Sequence, residues 1–488
     1  MPEHLAALEP RAVWKHFATL CAIPRPSLHE AALRDHLIAW AQASGIPSRV
    51  DQAGNLILSK AGTPGCESLP GVILQGHLDM VCQANAGKAH DFERDPIKAV
   101  VSEGWVVAEN TTLGADNGIG VALALAALEA SGLRHPPLEV LLTVNEESGM
   151  DGARGLAPGT LQGRTLINLD TEEWGHFYLG CAGGVDVQVS QDCDQEALPA
   201  DYAAVRFEVS GLRGGHSGID IHRVRGNAIK LLAEALRDLS AHCDVRLIEL
   251  GGGTARNAIP REAYAVCALP ATVASTIDPW VQHRVQSWRD RYGEEEVHVA
   301  FTCAHYEVLP GRALRTAERE RVLAFLDIAP NGVSLMSEHF PGVVDTSDNL
   351  GVVRLLQGMF RATFKVRSLS DARADALAGK LVSYAGSYEL QAWKDGAYPG
   401  WTPNPGSALL ALCQGVYTAE FGQPASLQVI HAGLECGLLA ASHPHLDMIS
   451  FGPDIRGAHA PGERVEVASV ARCWQLLQAV LRKLSETA

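Results

Sequence analysis

Four aliphatic runs in the chain each lead into a residue that could hold a metal ion. Val72-Ile-Leu74 runs into Gln75-Gly-His-Leu-Asp79, and Leu138 to Val144 runs into Asn145-Glu-Glu147. Thr165 to Leu169 stops at Asp170, and Asp447 to Phe451 is followed closely by Gly457-Ala-His459. One more carboxylate, in Gly114-Ala-Asp-Asn117, stands just ahead of the apolar stretch Gly118 to Ala130. Imidazole nitrogen and carboxylate oxygen are zinc donors, and a catalytic zinc leaves a coordination position open for water. Hydrolysis by two metal ions needs a carboxylate shared between them, further ligands on each, and a separate base to activate the water. His77, Asp79, Asp116, Glu146, Glu147, Asp170 and His459 supply that inventory. Singly, each has the ordinary explanation of a cap or turn residue. The pair Glu146-Glu147 is less ordinary, because adjacent acids after a buried strand repel unless a cation is near. The stronger signal is the coincidence of several strand ends, each delivering the same class of donor.

The elements that must place these residues follow from periodicity. Short, almost wholly apolar strands alternating with helices predict a mostly parallel sheet covered by helices on both faces. Ligands of open α/β sheets bind at the carboxyl ends of the strands, where these donors lie. Ser27-Leu-His-Glu30 has capping-box spacing, ahead of a helix with Leu33, Leu37 and Trp40 on one face up to Gly45. From about residue 184 to 395 the texture changes: strand-like segments such as Ala204 to Val209 and Phe364 to Val366 mix with amphipathic helices such as Asn227 to Leu239, and the strand-end carboxylates disappear. Gly396-Ala-Tyr-Pro-Gly-Trp401 marks a turn-rich junction. The expected architecture is an α/β catalytic domain, residues 1–183 and 396–488, interrupted by an inserted α+β lid domain, residues 184–395.

Bulk properties narrow the function. A chain of 488 residues is long for a single core. A composition of 47% hydrophobic and 20% charged residues is that of a soluble globular protein. The net charge of -16 argues against a nucleic-acid partner, which needs clustered Lys and Arg. The opening residues lack the pattern of a signal peptide, and the most apolar stretch, Ile119 to Leu128, is too short to cross a bilayer. Eleven cysteines without a C-x-x-C pair favour reduced thiols. The expected location is the cytoplasm.

The motifs resemble those of the bacterial aminoacyl-histidine (Xaa-His) dipeptidases, a branch of the di-zinc metallopeptidases that includes carnosinases. The matching segments are Gln75-Gly-His-Leu-Asp-Met80, Thr112-Leu-Gly-Ala-Asp-Asn-Gly-Ile-Gly120, Glu146-Glu-Ser-Gly-Met-Asp-Gly152, Asn168-Leu-Asp170, Gly214-Gly-His-Ser-Gly218, Arg256-Asn-Ala-Ile-Pro-Arg261, Ile430-His-Ala-Gly-Leu-Glu-Cys-Gly437 and Gly457-Ala-His459. They are collinear and span nearly the whole chain. The resemblance implies hydrolysis of Xaa-His dipeptides by a zinc-bound hydroxide, with two zinc ions per subunit that cobalt or manganese could replace. It implies that Asp116 bridges the metals, that His77 and Asp170 complete one site, and that Glu147 and His459 complete the other. Glu146 would be the general base, and Asp79 would orient the His77 imidazole. Read as strand neighbours, Glu146 and Glu147 point to opposite faces, which separates a base from a ligand.

In the insert, the resemblance gives His216 an oxyanion-stabilising role, and makes Asn257 and Arg367 candidates for holding the peptide and its free carboxylate. By residue type alone, His216 is an incidental histidine in a glycine-rich turn, while Arg367 is equally well read as a carboxylate binder or as an ordinary surface ion-pair partner. Ser148, Ala460 and Gly462 depart from the residues associated with those positions. The implied partners are short peptides, with no nucleic acid and no membrane; a homodimer is the assembly usual in such families.

Three other sites fail on spacing. Gly215-His-Ser217-Gly has Ile219 where a nucleophile elbow needs glycine. Gly118-Ile-Gly120 has Leu123 in place of a third glycine, and Gly251-Gly-Gly-Thr254 lacks a phosphate-binding lysine. The alternatives that remain are a broader di- or tripeptidase, an N-acyl amidohydrolase, or a catalytically silent metal-binding protein.

Overall fold

The computed structural model describes residue 5 and residues 7–85, 87–305 and 311–486. They form two compact units. One comprises the described residues up to Cys181, Trp401–Val429 and those from Leu434 onward; the other comprises Ala182–Gly400 and Ile430–Gly433. The chain thus passes between units at 181/182 and 400/401, where the sequence reading has 183/184 and 395/396. The segment Ile430–Gly433, which that reading leaves in the catalytic part, groups with the second unit.

The first unit is built on an eight-stranded sheet in the order Ser48–Val50, Leu56–Lys60, Leu138–Thr143, Val72–His77, Thr165–Asn168, Asp447–Ser450, His176–Cys181, Ser426–Ile430. The four strands from Leu138–Thr143 to Asp447–Ser450 run parallel to one another. Leu56–Lys60 and His176–Cys181 pair antiparallel at their flanks. All six residues of Val72–His77 are buried, which explains its unbroken apolar start: both faces of a parallel sheet are covered. The helix Ala115–Glu129 packs on that strand and on the helix Arg11–Ala22. It is buried from Asn117 to Leu128, as its all-round apolar sequence requires.

The capping-box expectation is corrected here. The helix Ala31–Ala43 starts after Glu30 without a side-chain cap. Ser27 Oγ donates instead to Asp79 Oδ2 at 2.7 Å, and Glu30 Oε1 accepts the backbone N–H groups of Leu28 at 3.1 Å and Asn145 at 2.8 Å. Both residues are drawn into tertiary contacts, which outcompete a local cap.

The second unit carries an antiparallel sheet in the order Ala300–His305, Tyr202–Ser210, Ala263–Pro270, Arg246–Gly252, Val344–Leu356, Met359–Ser368, Gly183–Asp192, Gln391–Tyr398, with Gly332–Met336 pairing Val344–Leu356. The helices Ala228–His242, Asp278–Tyr292, Thr316–Ile328 and Asp371–Ser387 complete this α+β body. Phe207, Trp288, Phe325, Phe360 and Phe364 lie in its core. Asn227 caps the first of these helices by accepting the N–H of Ile229 at 3.0 Å. All eleven cysteines are free thiols. No helix among the described residues is long and apolar enough to cross a membrane.

Candidate active site

His77, the last residue of its strand, is buried. Its Nε2 lies 3.1 Å from Asp116 Oδ1 and 3.5 Å from Asp170 Oδ1. The other oxygen of Asp116 lies 3.0 Å from His459 Nε2, which is 3.1 Å from Glu147 Oε2. Asp116 therefore stands between the two imidazoles with one oxygen toward each. Donor atoms of His77, Asp116 and Asp170 lie within 4.8 Å of one another; so do those of Asp116, Glu147 and His459, and those of His77, Glu146 and Glu147.

The electrostatics describe a site rich in negative charge. His459 is pushed up to about 11 by hydrogen bonds to Asp116 and Glu147. Burial opposes the charged form of His77, but the carboxylates of Asp170, Asp116 and Asp79 prevail and hold it well above its usual value. Burial raises Asp170 to about 6 and Glu146 well above the ordinary carboxylate range. The surrounding carboxylates thus favour the protonated form of both imidazoles. Glu147 Oε1 is buried without a hydrogen-bond partner. This donor set of imidazoles and carboxylates suits a pair of divalent cations.

Glu146 and Glu147 do not extend a strand. They open a single helical turn, Glu146–Gly149, after Asn145 adopts a left-handed conformation at φ 53°. Their side chains diverge by the helical step of about 100° rather than by strand alternation. The turn is held by Asp79, whose Oδ1 and Oδ2 accept the backbone N–H groups of Glu146 at 3.0 Å and Glu147 at 3.1 Å. His77 Nδ1 is 3.1 Å from the Asp79 carbonyl oxygen and 3.4 Å from Oδ1, so backbone and carboxylate share the orientation of the imidazole.

Two residues with no role in the sequence reading place Asp116. Buried Glu463 accepts the N–H groups of Leu113 at 2.8 Å, Gly114 at 3.0 Å and Asp116 at 3.2 Å. Buried Arg25 donates to the carbonyls of Leu78 at 2.8 Å, Asp79 at 2.7 Å and Gly114 at 2.5 Å. Gly114 has φ 71°, and a Cβ there would press on Arg25 Nη2 and Met80 Sδ, so glycine is favoured at this position.

Within the second unit, His216 Nδ1 accepts the N–H groups of Gly218 at 3.2 Å and Ile219 at 3.0 Å. That leaves the ring proton on Nε2, which lies 3.5 Å from Arg367 Nη2. Two donors converge where one acceptor oxygen would satisfy both. Burial and then the Arg367 cation lower His216 to about 4, so the ring is neutral at pH 7. Arg367 is itself buried and donates from Nη1 to the Tyr398 hydroxyl at 2.7 Å. It is not the surface ion-pair partner that its residue type would allow. His431 lies in the same group: its Nε2 is 2.8 Å from Ser347 Oγ, and burial followed by Arg367 lowers it to about 3. Asn257 is exposed, and its backbone carbonyl accepts the Ser217 N–H at 2.8 Å.

A sequence-family comparison decides the ancestry of this arrangement: the model of peptidase family M20/M25/M40 matches residues 73–483. The chain belongs to that family. Within the M20 group it is 42% identical over 480 residues to a protein named cytosol non-specific dipeptidase from Escherichia coli K12, covering 98% of this chain and 99% of that one. A crystal structure of aminoacylhistidine dipeptidase from Vibrio alginolyticus matches with a TM-score of 0.87 at 40% identity, covering 99% of both chains. The aminopeptidase PepT structure from Bacillus cereus shares the M20 fold, with a TM-score of 0.56 at 15% identity over 98% of this chain and 99% of that one.

Arg25, Glu463 and His431 carry weak sequence signals. Arg25 sits between two prolines, His431 lies within Ile430-His-Ala-Gly-Leu-Glu-Cys-Gly437, and Glu463 directly follows Gly462.

Proposed function

We propose that this M20 chain hydrolyses the peptide bond of dipeptides, Xaa-His dipeptides among them, with two zinc ions bound per subunit. The observation that carries the proposal is Asp116, with one oxygen toward His77 and the other toward His459. Asp116 would be shared by the ions, with His77 and Asp170 holding one and Glu147 and His459 the other. Bound there, divalent cations lower the pKa of a water and polarise a carbonyl. Cobalt or manganese suits the same donors.

The chain's own groups supply the rest. Glu146 takes the proton of the attacking water and passes it to the leaving amine. Asp79 keeps the His77 imidazole and the Glu146 turn in fixed relation. In the second unit, the Nε2–H of His216 is a neutral donor suited to a developing oxyanion, where removing one such donor costs on the order of 100-fold or more in rate. The Arg367 guanidinium suits the free carboxylate of the substrate, and Asn257 is assigned to the peptide beside it. The second unit is thereby the part that selects substrates.

A broader dipeptide range is the second reading, favoured by the name of the Escherichia coli relative, non-specific dipeptidase. Hydrolysis of Ala-His, beta-Ala-His, Ala-Ala and an N-acetyl amino acid by metal-stripped and zinc-reloaded protein tests both. Zinc-dependent cleavage of the His dipeptides, abolished in Glu146→Gln, is expected. Equal cleavage of Ala-Ala selects the broader reading, and cleavage of the acetylated compound alone overturns the dipeptidase assignment.

A further inference from the structure

We propose that Glu435 is a positioning residue for the metal centre, acting through a continuous line of buried polar side chains across the four parallel strand ends. The inference rests on the metal-centre reading above.

Glu435 opens the helix Glu435–Ser442 and is 1% exposed. Its Oε2 accepts from Gln75 Nε2 at 2.6 Å and from Thr143 Oγ1 at 2.7 Å. Gln75 Oε1 accepts from Asn168 Nδ2, and Asn168 Oδ1 accepts from Ser450 Oγ. Thr143, Gln75, Asn168 and Ser450 come one from each of the adjacent strands Leu138–Thr143, Val72–His77, Thr165–Asn168 and Asp447–Ser450. All four are buried.

The line sits directly beneath the proposed ligands. Gln75 is two residues before His77, Thr143 three before Glu146, and Asn168 two before Asp170. Asn168 Oδ1 also accepts the backbone N–H of Asp170 at 3.2 Å, so the line reaches a proposed ligand directly. Polar groups in a sheet interior are costly unless paired, and apolar side chains would fill the layer at lower cost. Hydrogen bonds are directional where apolar contacts are not. A polar line therefore fixes the offset between neighbouring strand ends, and with it the separation of the donors they carry. Glu435 is the short acceptor for two members at once; without it Thr143 Oγ1 keeps only the Gly76 carbonyl at 3.3 Å and Gln75 Nε2 only Thr143 Oγ1 at 3.4 Å, both longer than the bonds to Glu435.

Zinc affinity, measured by competition with a chromophoric chelator on monodisperse protein of native circular dichroism, tests the proposal. In Glu435→Ala, affinity falls by roughly 10–100-fold, the range seen when groups that orient metal ligands are removed. In Glu435→Gln, an amide oxygen can accept from both donors, and affinity stays within about threefold of wild type. A variant that merely lost folded protein would lower the active fraction while leaving affinity per folded molecule unchanged. Wild-type affinity in Glu435→Ala overturns the proposal, as does a loss in Glu435→Gln equal to that in Glu435→Ala, which would make charge rather than hydrogen bonding the cause. If Glu435→Ala does not fold, Gln75→Leu breaks the same line: weakened zinc binding supports the proposal and wild-type binding overturns it. Failure of the wild type to bind zinc overturns the metal-centre reading itself.

Discussion

Asp79 accepts the backbone N–H of Glu146 at 3.0 Å, so the carboxylate facing the His77 imidazole also sets where the acidic turn begins. A second oxygen does the same for Glu147 at 3.1 Å. Asp79→Asn keeps the size of the side chain but presents an NH₂ to one of these N–H groups. The expected outcome is a fall of roughly 10–100-fold in zinc affinity together with lost turnover. Zinc titration of the variant checks it, and unchanged affinity would make Asp79 irrelevant to ligand placement.

Metal loading should release protons. The carboxylates around them push His459 up to about 11 and hold His77 well above its usual value, so both favour the proton-bound form. Zinc binds the neutral imidazole, so protons compete with the ion and affinity falls as pH falls. Titrating zinc into stripped protein in weak buffer with an indicator dye should acidify the solution. Affinity independent of pH between about 6 and 8, with no acidification, would contradict the assignment of these histidines as ligands.

Arg367→Ala should discriminate between substrates. The guanidinium is buried beside the Nε2–H of His216, so its proposed target is an anion. For Ala-His, kcat/KM should drop by about 100-fold, mostly through KM, because a carboxylate would lose its charged partner. The C-terminal amide of the same dipeptide should change little. Equal losses on acid and amide would move Arg367 from carboxylate recognition to general architecture.

What the sequence discloses here depends on how local the cause is. The parallel strands were legible because burial on both faces leaves an unbroken apolar run, as in Val72-Ile-Leu74. His77, Glu147 and His459 were legible by type and by their place after such runs, and Asp116 by its place just ahead of an apolar helix; the structure brings them together. The Ser27–Glu30 capping box failed because Asp79 and Asn145, distant in sequence, claim both side chains. Treating Glu146 and Glu147 as strand residues failed because Asn145 turns the chain at φ 53°, which apolar periodicity does not encode. Arg25, Glu435 and Glu463 act on backbone groups or side chains far along the chain, and no spacing rule links them to their partners. The placement of Ile430–Gly433 with the second unit is likewise a property of the packed chain.

The central claim is a pair of metal ions sharing Asp116, and zinc equivalents bound per chain test it most directly. Stripped wild-type protein titrated with zinc should bind two ions, and Asp116→Ala should weaken both, because its two oxygens face different imidazoles. A single equivalent in the wild type, or a variant that loses one site and keeps the other intact, would contradict the account.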